Sequence, residues 1–432
     1  MRRRPLLLSI AVLLLAVTGS ACDLGQPENR KPIAAFSATV DRLSVTFTNE
    51  SRDPYGSLKS VRWEFGDGDT STVGSPTHTY DEVGTYTVTL TVTDDQGATT
   101  STSETISLRP SLDVYVANQG NFSDGNGSVT VHDRDSSETT RHAVDGLQSI
   151  VQGIGVHEGR LFVASNSAGR VDVFSARGYS QVGQVADLSG PRYLTFPGNA
   201  SAVVSDQSFG GTSSLRVLDL SGDTPQVEAT VDVPGQPEGV TSTSGRVYAA
   251  LGAFGDTTLV AALDADTNEL LETIDVGCSP RFVLADTQSE VYAVCSDAPE
   301  LVRLDASSGD RLGTVPLPDT ARSAFGVGQT ASFAPEAREL YVVANEDRIF
   351  RVDTRSEEVV ATVGPVEGNP IGAVAYDPER QELYLARVPD FSSAGTVTIH
   401  DRSGSQTGSF PAGVAPTSIT FRRTGGSAAS RP

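Results

Sequence analysis

Lysine is nearly missing from this chain: Lys31 and Lys59 are the only two in 432 residues. Basic residues number 32 against 54 acidic ones, for a formal net charge of −22. Such a surface repels phosphates, which excludes nonspecific nucleic-acid binding. Two sources of the acidity stay open. Dense carboxylates suit high salt, where their repulsion is screened, and they also suit an ordinary acidic secreted protein. Histidine is scarce too, at His78, His132, His142, His157 and His400. His132 and His400 hold the same place before an Asp in similar segments, so they read as repeat positions on the outside of their units. Little is left for a His-dependent lyase or a His-ligated metal. No Cys-His pair, nucleophile elbow or phosphate loop occurs. The expectation is no catalytic residue, no cofactor and no metal.

Long apolar runs are confined to the N-terminus. Arg2, Arg3 and Arg4 precede the run Leu6–Val17 and then Gly19-Ser20-Ala21-Cys22. This predicts a signal peptide over residues 1–21. Cys22 is the candidate lipid anchor, tying the protein to a membrane, although Gly19 stands where such signals usually carry an aliphatic residue. Ordinary signal cleavage is the alternative. Residues 22–31 read as a polar tether. Two cysteines remain, Cys278 and Cys295, flanking a predicted hairpin that brings them across from one another. Outside the cytoplasm a disulfide is expected there, with two buried thiols as the alternative.

What the chain has in abundance is repetition. A short apolar stretch recurs at Tyr115, Phe162, Val203, Tyr248, Tyr292, Tyr341 and Tyr384, at steps of 41 to 49 residues. Each unit reads as four short strands. The third ends in Asp at Asp133, Asp219, Asp264, Asp305, Asp353 and Asp401, with Ser175 in the second unit. These Asp read as caps of the polar turns that follow. Four strands per such period is one propeller blade. The first unit begins on its second strand at Leu112, and Gly413–Phe421 is a surplus first strand. The expectation is a seven-bladed β-propeller over 112–421, closed by its C-terminal strand, with a disordered tail over 422–432. Residues 32–108 differ. Gly84–Asp94 alternates Tyr86, Val88, Leu90 and Val92 with threonines, and Val61-Arg-Trp63-Glu-Phe65 alternates likewise, predicting a small β-sandwich.

Trp63-Glu-Phe-Gly-Asp-Gly-Asp-Thr-Ser71, His78-Thr-Tyr80 and the Gly84–Asp94 strand resemble the polycystic-kidney-disease (PKD) domain, which implies an immunoglobulin-like sandwich. Tyr115-Val-Ala-Asn118, Phe162-Val-Ala-Ser165 and Tyr341-Val-Val-Ala-Asn345 resemble the YVTN-type β-propeller. The pair of resemblances implies a bacterial surface or envelope protein. More distant seven-bladed relatives include lactonases and quinone-dependent dehydrogenases, so an enzyme stays open as the competing class. The one Trp lies outside the repeats, which counts against a tryptophan-built quinone pocket.

In a blade, the turn leading into the first strand and the loop between second and third strands share one face. Arg192, Glu238, Arg281, Arg322 and Asn369 sit on such leading turns, and Asn118 and Asp206 at the adjoining loop starts. Clustered Arg can hold a carboxylate or a sugar acid, or can simply pair with neighbouring Asp such as Asp206 or Asp297. The long loops carry Phe122, Phe209 and Phe391, which serve either recognition or packing between blades. Two Asp/Asn-rich turns, Asp67–Asp69 and Asn121–Gly127, invite a calcium reading, but turn capping explains the first and the second lacks EF-hand spacing. The expected function is a noncatalytic envelope lipoprotein. Its propeller would bind a protein or polysaccharide at the cell surface or outer membrane, and its PKD-like domain would act as a spacer or adhesion module.

Overall fold

The computed structural model of the chain describes residues 29–424 apart from 42, 109–110, 199, 244, 255–256, 319–327, 329, 345–346 and 365–368. The expected signal peptide, Cys22, the first part of the tether, Asn345 and Arg322 therefore lie outside the described residues. All regular structure among the described residues is β-strand, and the chain divides into two compact units, 1–109 and 110–432.

The first unit holds a three-stranded sheet (Phe36–Asp41, Ser44–Asn49, Thr77–Thr79) and a four-stranded sheet (Thr70–Ser71, Leu58–Glu64, Gly84–Asp94, Thr99–Leu108). The alternation in Gly84–Asp94 sends Val88, Leu90 and Val92 inward, and Trp63, Phe36 and Phe47 join them. Trp63 is fully buried, and its indole donates to the Val73 carbonyl at 3.0 Å, so its polar edge is satisfied. Gly66 has φ +89°, and a Cβ there would meet the Thr87 carbonyl at 2.7 Å. Asp67 accepts the Asp69 amide at 3.0 Å, as a turn cap should, and its other oxygen meets His78 Nε2 at 2.6 Å.

The second unit is propeller-like. It contains seven four-stranded antiparallel sheets. Six are consecutive in sequence. The remaining one combines Pro416–Thr424 with Ser111–Asn118, Ser128–Asp133 and Thr139–Val144. The first strands pack in succession: Val151–His157, Pro191–Gly198, Val240–Thr243, Pro280–Ala285, Ala331–Ala334, Ile371–Asp377 and Pro416–Thr424, which in turn packs against Val151–His157. Their approach is close. A Cβ at Gly153 would lie 2.5 Å from the Arg192 carbonyl.

The repeated aromatic is buried between sheets, so its hydroxyl needs a partner. Tyr115 donates to the Ala176 carbonyl at 2.5 Å and Tyr248 to the Ala306 carbonyl at 3.0 Å. Tyr292 and Tyr384 instead donate to the Glu two residues earlier, at 2.9 Å each. The same Glu-x-Tyr spacing recurs at Glu339 and Tyr341.

Two expectations change. Arg422 and Arg423 belong to the final strand rather than to a tail. Arg422 pairs with buried Asp113 at 3.0 Å, and Arg423 with Asp377. The outward reading of His132 and His400 also fails. Both are buried, His132 stacked on Phe410 at 4.1 Å and His400 held by Thr398 and Gly404. Burial pushes both imidazoles below their ordinary pKa.

The last strand meets Ser111–Asn118 over its whole length, from Pro416 opposite Asn118 to Thr424 opposite Ser111. Deleting residues 415–432 exposes that edge and strips the buried faces of Val114 and Val116. The expected outcome is loss of the second unit's cooperative thermal transition. A sharp transition near the parental temperature would show that the pairing is dispensable.

The third-strand Asp cap their turns. Asp264 accepts the amides of Asp266 and Thr267, Asp305 those of Ser307 and Ser308, and Asp353 those of Arg355 and Ser356. Hydrogen bonds to the ionised form hold these carboxyls below the usual range, Asp305 down to about 2. A folded pKa below the unfolded one gives stability that is complete above the unfolded value and fades as pH falls through the folded one. The unfolding free energy should therefore be flat above about pH 5 and decline between about pH 4 and pH 2. Replacing Asp264, Asp305 and Asp353 by Asn should flatten that decline in acid titrations followed by circular dichroism.

Candidate functional site

In these antiparallel sheets the start of each first strand and the end of each second strand lie at one end. Pro191 faces Asp206, Pro280 faces Cys295 and Pro416 faces Asn118. That end gathers most of the polar residues singled out from sequence, and it is built around Glu238. The Glu238 carboxylate is buried. It accepts Arg192 at 2.5 Å and lies 3.9 Å from the Arg281 guanidinium. Gln207 Nε2 donates to its other oxygen at 2.8 Å and to the Pro237 carbonyl at 3.0 Å. Burial opposes the Arg192 cation, but Glu238 beside it outweighs the burial and leaves its pKa above the ordinary value.

This cluster is not self-sufficient. The Nε atoms of Arg192 and Arg281 and the Oε1 atom of Gln207 are buried without a hydrogen bond inside the protein. So are Oε1 of Gln119 and Gln152, and the hydroxyl of Tyr193. Gln152 is the second residue of the neighbouring first strand Val151–His157, where its carbonyl accepts the Thr417 hydroxyl at 3.5 Å, and Gln119 follows Asn118. Burial and the nearby Glu238 push the Tyr193 phenol well above its ordinary pKa, so it is a neutral donor. Unsatisfied buried polar atoms cost folding free energy, about 1–3 kcal/mol each, unless a ligand or solvent meets them.

The other sequence candidates have structural employment. Asn118 is buried. Its side chain donates to Ser128 and Thr130 and accepts the Gly413 amide at 2.8 Å. Asp206 is buried, accepts the amides of Ser189 and Gly190, and pairs with Arg216 at 3.0 Å. Arg192 and Arg281 therefore pair with Glu238 and not with Asp206. Asn369 is exposed, and its carbonyl accepts Arg387 at 2.9 Å. In the Asn121–Gly127 loop, Asn126 Oδ1 accepts the Asn121 amide and Asn121 Oδ1 accepts the Ser123 amide, so these oxygens are spent on the turn itself.

The loop aromatics are not packed between sheets. Phe122 is 66%, Phe209 77% and Phe391 43% exposed. A fourth, Phe254, is 61% exposed and was missed in the sequence, where its neighbours Ala253 and Gly255 make it read as part of an apolar stretch. Phe209 and Phe254 come from adjacent sheets, and their rings lie 5.6 Å apart. All four Phe belong to loops joining second to third strands, so they share the end that carries Glu238. At the opposite end of the first strands a cavity of about 370 Å³ is lined by Thr241, Ser242, Thr243, Asp286 and Phe333. Asp286 spends one oxygen there on the amides of Gln288 and Glu290.

Cys278 and Cys295 are joined as a disulfide with Cα atoms 5.7 Å apart. It ties the start of one first strand to the end of its second strand beside Arg281. Closing 17 residues contributes about 3 kcal/mol by loop-entropy arithmetic. Among the described residues, two groups have metal-ligand geometry: Asp67, Asp69 and His78 in the first unit, and Cys278, Cys295 and Glu300, whose thiols are consumed by the disulfide.

Comparison with known proteins adds the following. Residues 29–108 match the PKD domain, and residues 113–405 match a domain of unknown function, DUF5074. Over 81 residues the chain is 46% identical to the pre-pro-metalloprotease PrtV of Vibrio cholerae serotype O1. That match takes in 19% of this chain and 9% of PrtV, so the chain spans under a tenth of that relative. The periplasmic gluconolactonase PpgL of Pseudomonas aeruginosa superposes with a TM-score of 0.56 at 18% identity, over 71% of this chain and 99% of that one. A quinonprotein alcohol dehydrogenase-like protein of Bacteroides thetaiotaomicron superposes with a TM-score of 0.54 at 13% identity, over 88% and 94%. At these identities the likeness is one of fold alone.

Reduction of the Cys278–Cys295 bond should loosen the strand that carries Arg281. With a strong reductant, or in the Cys278→Ser/Cys295→Ser double variant, the second unit is expected to lose about 3 kcal/mol of stability. Denaturant melts that coincide with and without reductant would contradict this.

Proposed function

The chain belongs to the DUF5074 family and carries a PKD domain ahead of it, and from that premise we propose that it is a noncatalytic binding protein of the bacterial cell envelope. Its second unit is read as a seven-bladed propeller of YVTN type, closed by strand Pro416–Thr424. The supporting facts are the seven sheets, their succession of first strands and the pairing of that strand with Ser111–Asn118. The PKD domain serves as a spacer or adhesion module, and Cys22 as the lipid anchor. An extracytoplasmic place agrees with the disulfide and with the PKD-domain match to PrtV, described as a pre-pro-metalloprotease.

The partner is a polysaccharide, taken at the sheet end that carries Glu238. One observation carries this reading: four exposed Phe stand on loops around a buried polar cluster whose own hydrogen bonds are incomplete. Flat apolar rings offer surfaces for the C–H faces of sugars, and the Gln and Arg groups offer donors and acceptors for hydroxyls. A protein partner at the same face is the second reading, since exposed aromatics serve protein recognition equally well. The competing enzyme reading, a lactonase-like hydrolase or a cofactor-dependent dehydrogenase, rests on fold likeness, and fold does not carry chemistry.

Affinity electrophoresis of the full chain in gels containing neutral or acidic polysaccharides tests the reading. At least one polymer should retard the wild type. The Phe209→Ala/Phe254→Ala variant, both positions being exposed, should melt as the wild type does and lose at least tenfold in retardation. Equal retardation of the two proteins would remove the aromatic platform.

A further inference from the structure

We infer that the cluster around Glu238 is a subsite for a hydroxylated carboxylate, namely a uronate unit of an acidic polysaccharide. This rests on the polysaccharide reading above and names the chemistry of its central contact.

The inference follows from charge and from the kinds of atom left over. Arg192 and Arg281 share one carboxylate, Glu238, so two positive charges meet one negative and the cluster carries a net charge of +1. Of the other carboxylates at this end, Asp206 is engaged by Arg216 and Asp297 by the Ser279 amide and hydroxyl. An excess positive charge in a desolvated place is costly, and an anionic ligand removes that cost. The surplus is local: it sits within a chain of net charge −22.

The unsatisfied atoms then divide into two sets. The guanidinium groups of Arg192 and Arg281, whose side chains keep 12% and 18% of their area exposed, are donors seeking an acceptor. A carboxylate supplies one, and guanidinium groups suit its planar geometry. Oε1 of Gln207, whose Nε2 bonds Glu238, is an acceptor seeking a donor, and those of Gln152 and Gln119 lie on the next two sheets beyond Arg192. A simple carboxylate such as acetate has none to offer, whereas sugar hydroxyls do. A neutral sugar answers the acceptors and leaves the charge. A uronate answers both.

Calorimetric titration of the full chain tests this with three probes: D-galacturonate, its methyl ester and D-galactose. Galacturonate should bind saturably, and the ester and galactose at least tenfold more weakly. Raising salt from 50 to 500 mM should weaken galacturonate binding several-fold. Arg281→Gln should lower galacturonate affinity at least tenfold, and Arg281→Lys by less. The ester comparison needs no variant, so a misfolded substitution leaves the test intact. Equal binding of acid and ester, equal binding of wild type and folded Arg281→Gln, or no saturable galacturonate binding at millimolar concentration would each overturn the subsite. If polymer retardation persists in that case, the platform reading survives and only the uronate chemistry falls. Loss of retardation in the Phe209→Ala/Phe254→Ala variant with galacturonate binding intact would separate the two the other way.

Discussion

The second unit depends on one pairing between residues some three hundred positions apart, Pro416–Thr424 against Ser111–Asn118. It works because it is satisfied at both ends. Near one end Asn118 accepts the Gly413 amide while donating to Ser128 and Thr130. Toward the other, Arg422 meets the buried Asp113 carboxylate. Between them Val114, Val116 and Ile419 pack in one core with Tyr384 and Ala412. A charge pair with one member fully buried is strongly destabilising when broken. The strand is thus held by the penalty of leaving as much as by the gain of staying.

The same accounting runs through the repeats. Every sheet but the one with Val203 buries an aromatic at the repeat position, and each tyrosine hydroxyl there has found a partner suited to its position. Tyr115 and Tyr248 reach carbonyls of the next sheet's turn, while Tyr292, Tyr341 and Tyr384 use the Glu two residues earlier. Phe162 occupies the equivalent place without a hydroxyl and packs edge-on against Phe196. The Asp ending the third strand caps the following turn in the same register. Polar atoms are generally used up where they serve the fold. Buried atoms without a partner also occur at Thr100, Asp286, Arg338 and Arg402, and what sets the Glu238 cluster apart is that three such residues, Arg192, Arg281 and Gln207, share one buried carboxylate.

Much of this was legible in the sequence because it is periodic. The spacing of the aromatics, the terminal Asp and the surplus strand at Gly413–Phe421 each appear as a departure from, or a return to, one pattern. The disulfide followed from a hairpin with a Cys at each end. What escaped was not periodic. Gln119 and Gln207 gave no signal, because an isolated Gln on a loop start resembles any solvated residue until its burial is known. Phe254 follows the apolar run Val247–Ala253 and so reads as a continuation of its strand. His132 and His400 were placed at the right repeat position, but the pattern could not say that Phe410 and Thr398 would enclose them. Asn118 and Asp206 were placed at the right end of the sheets, yet both proved to be fasteners of the fold, since proximity along a turn does not say which way an amide or carboxylate faces.

The acidic composition gains a different meaning once the Glu238 cluster is considered beside it. A chain carrying −22 repels an acidic polysaccharide at long range. At a Debye length of about 8 Å in physiological salt, that repulsion fades beyond the nearest charges. Contact then depends on what the ligand meets at the sheet ends, where exposed Phe rings stand beside Asp124 and Asp390 and where Arg192 and Arg281 outnumber Glu238. The long-range field discourages loose accumulation of anions, while the short-range cluster rewards one that is seated. Selectivity by such a scheme comes from rejection elsewhere on the surface as well as attraction at the site.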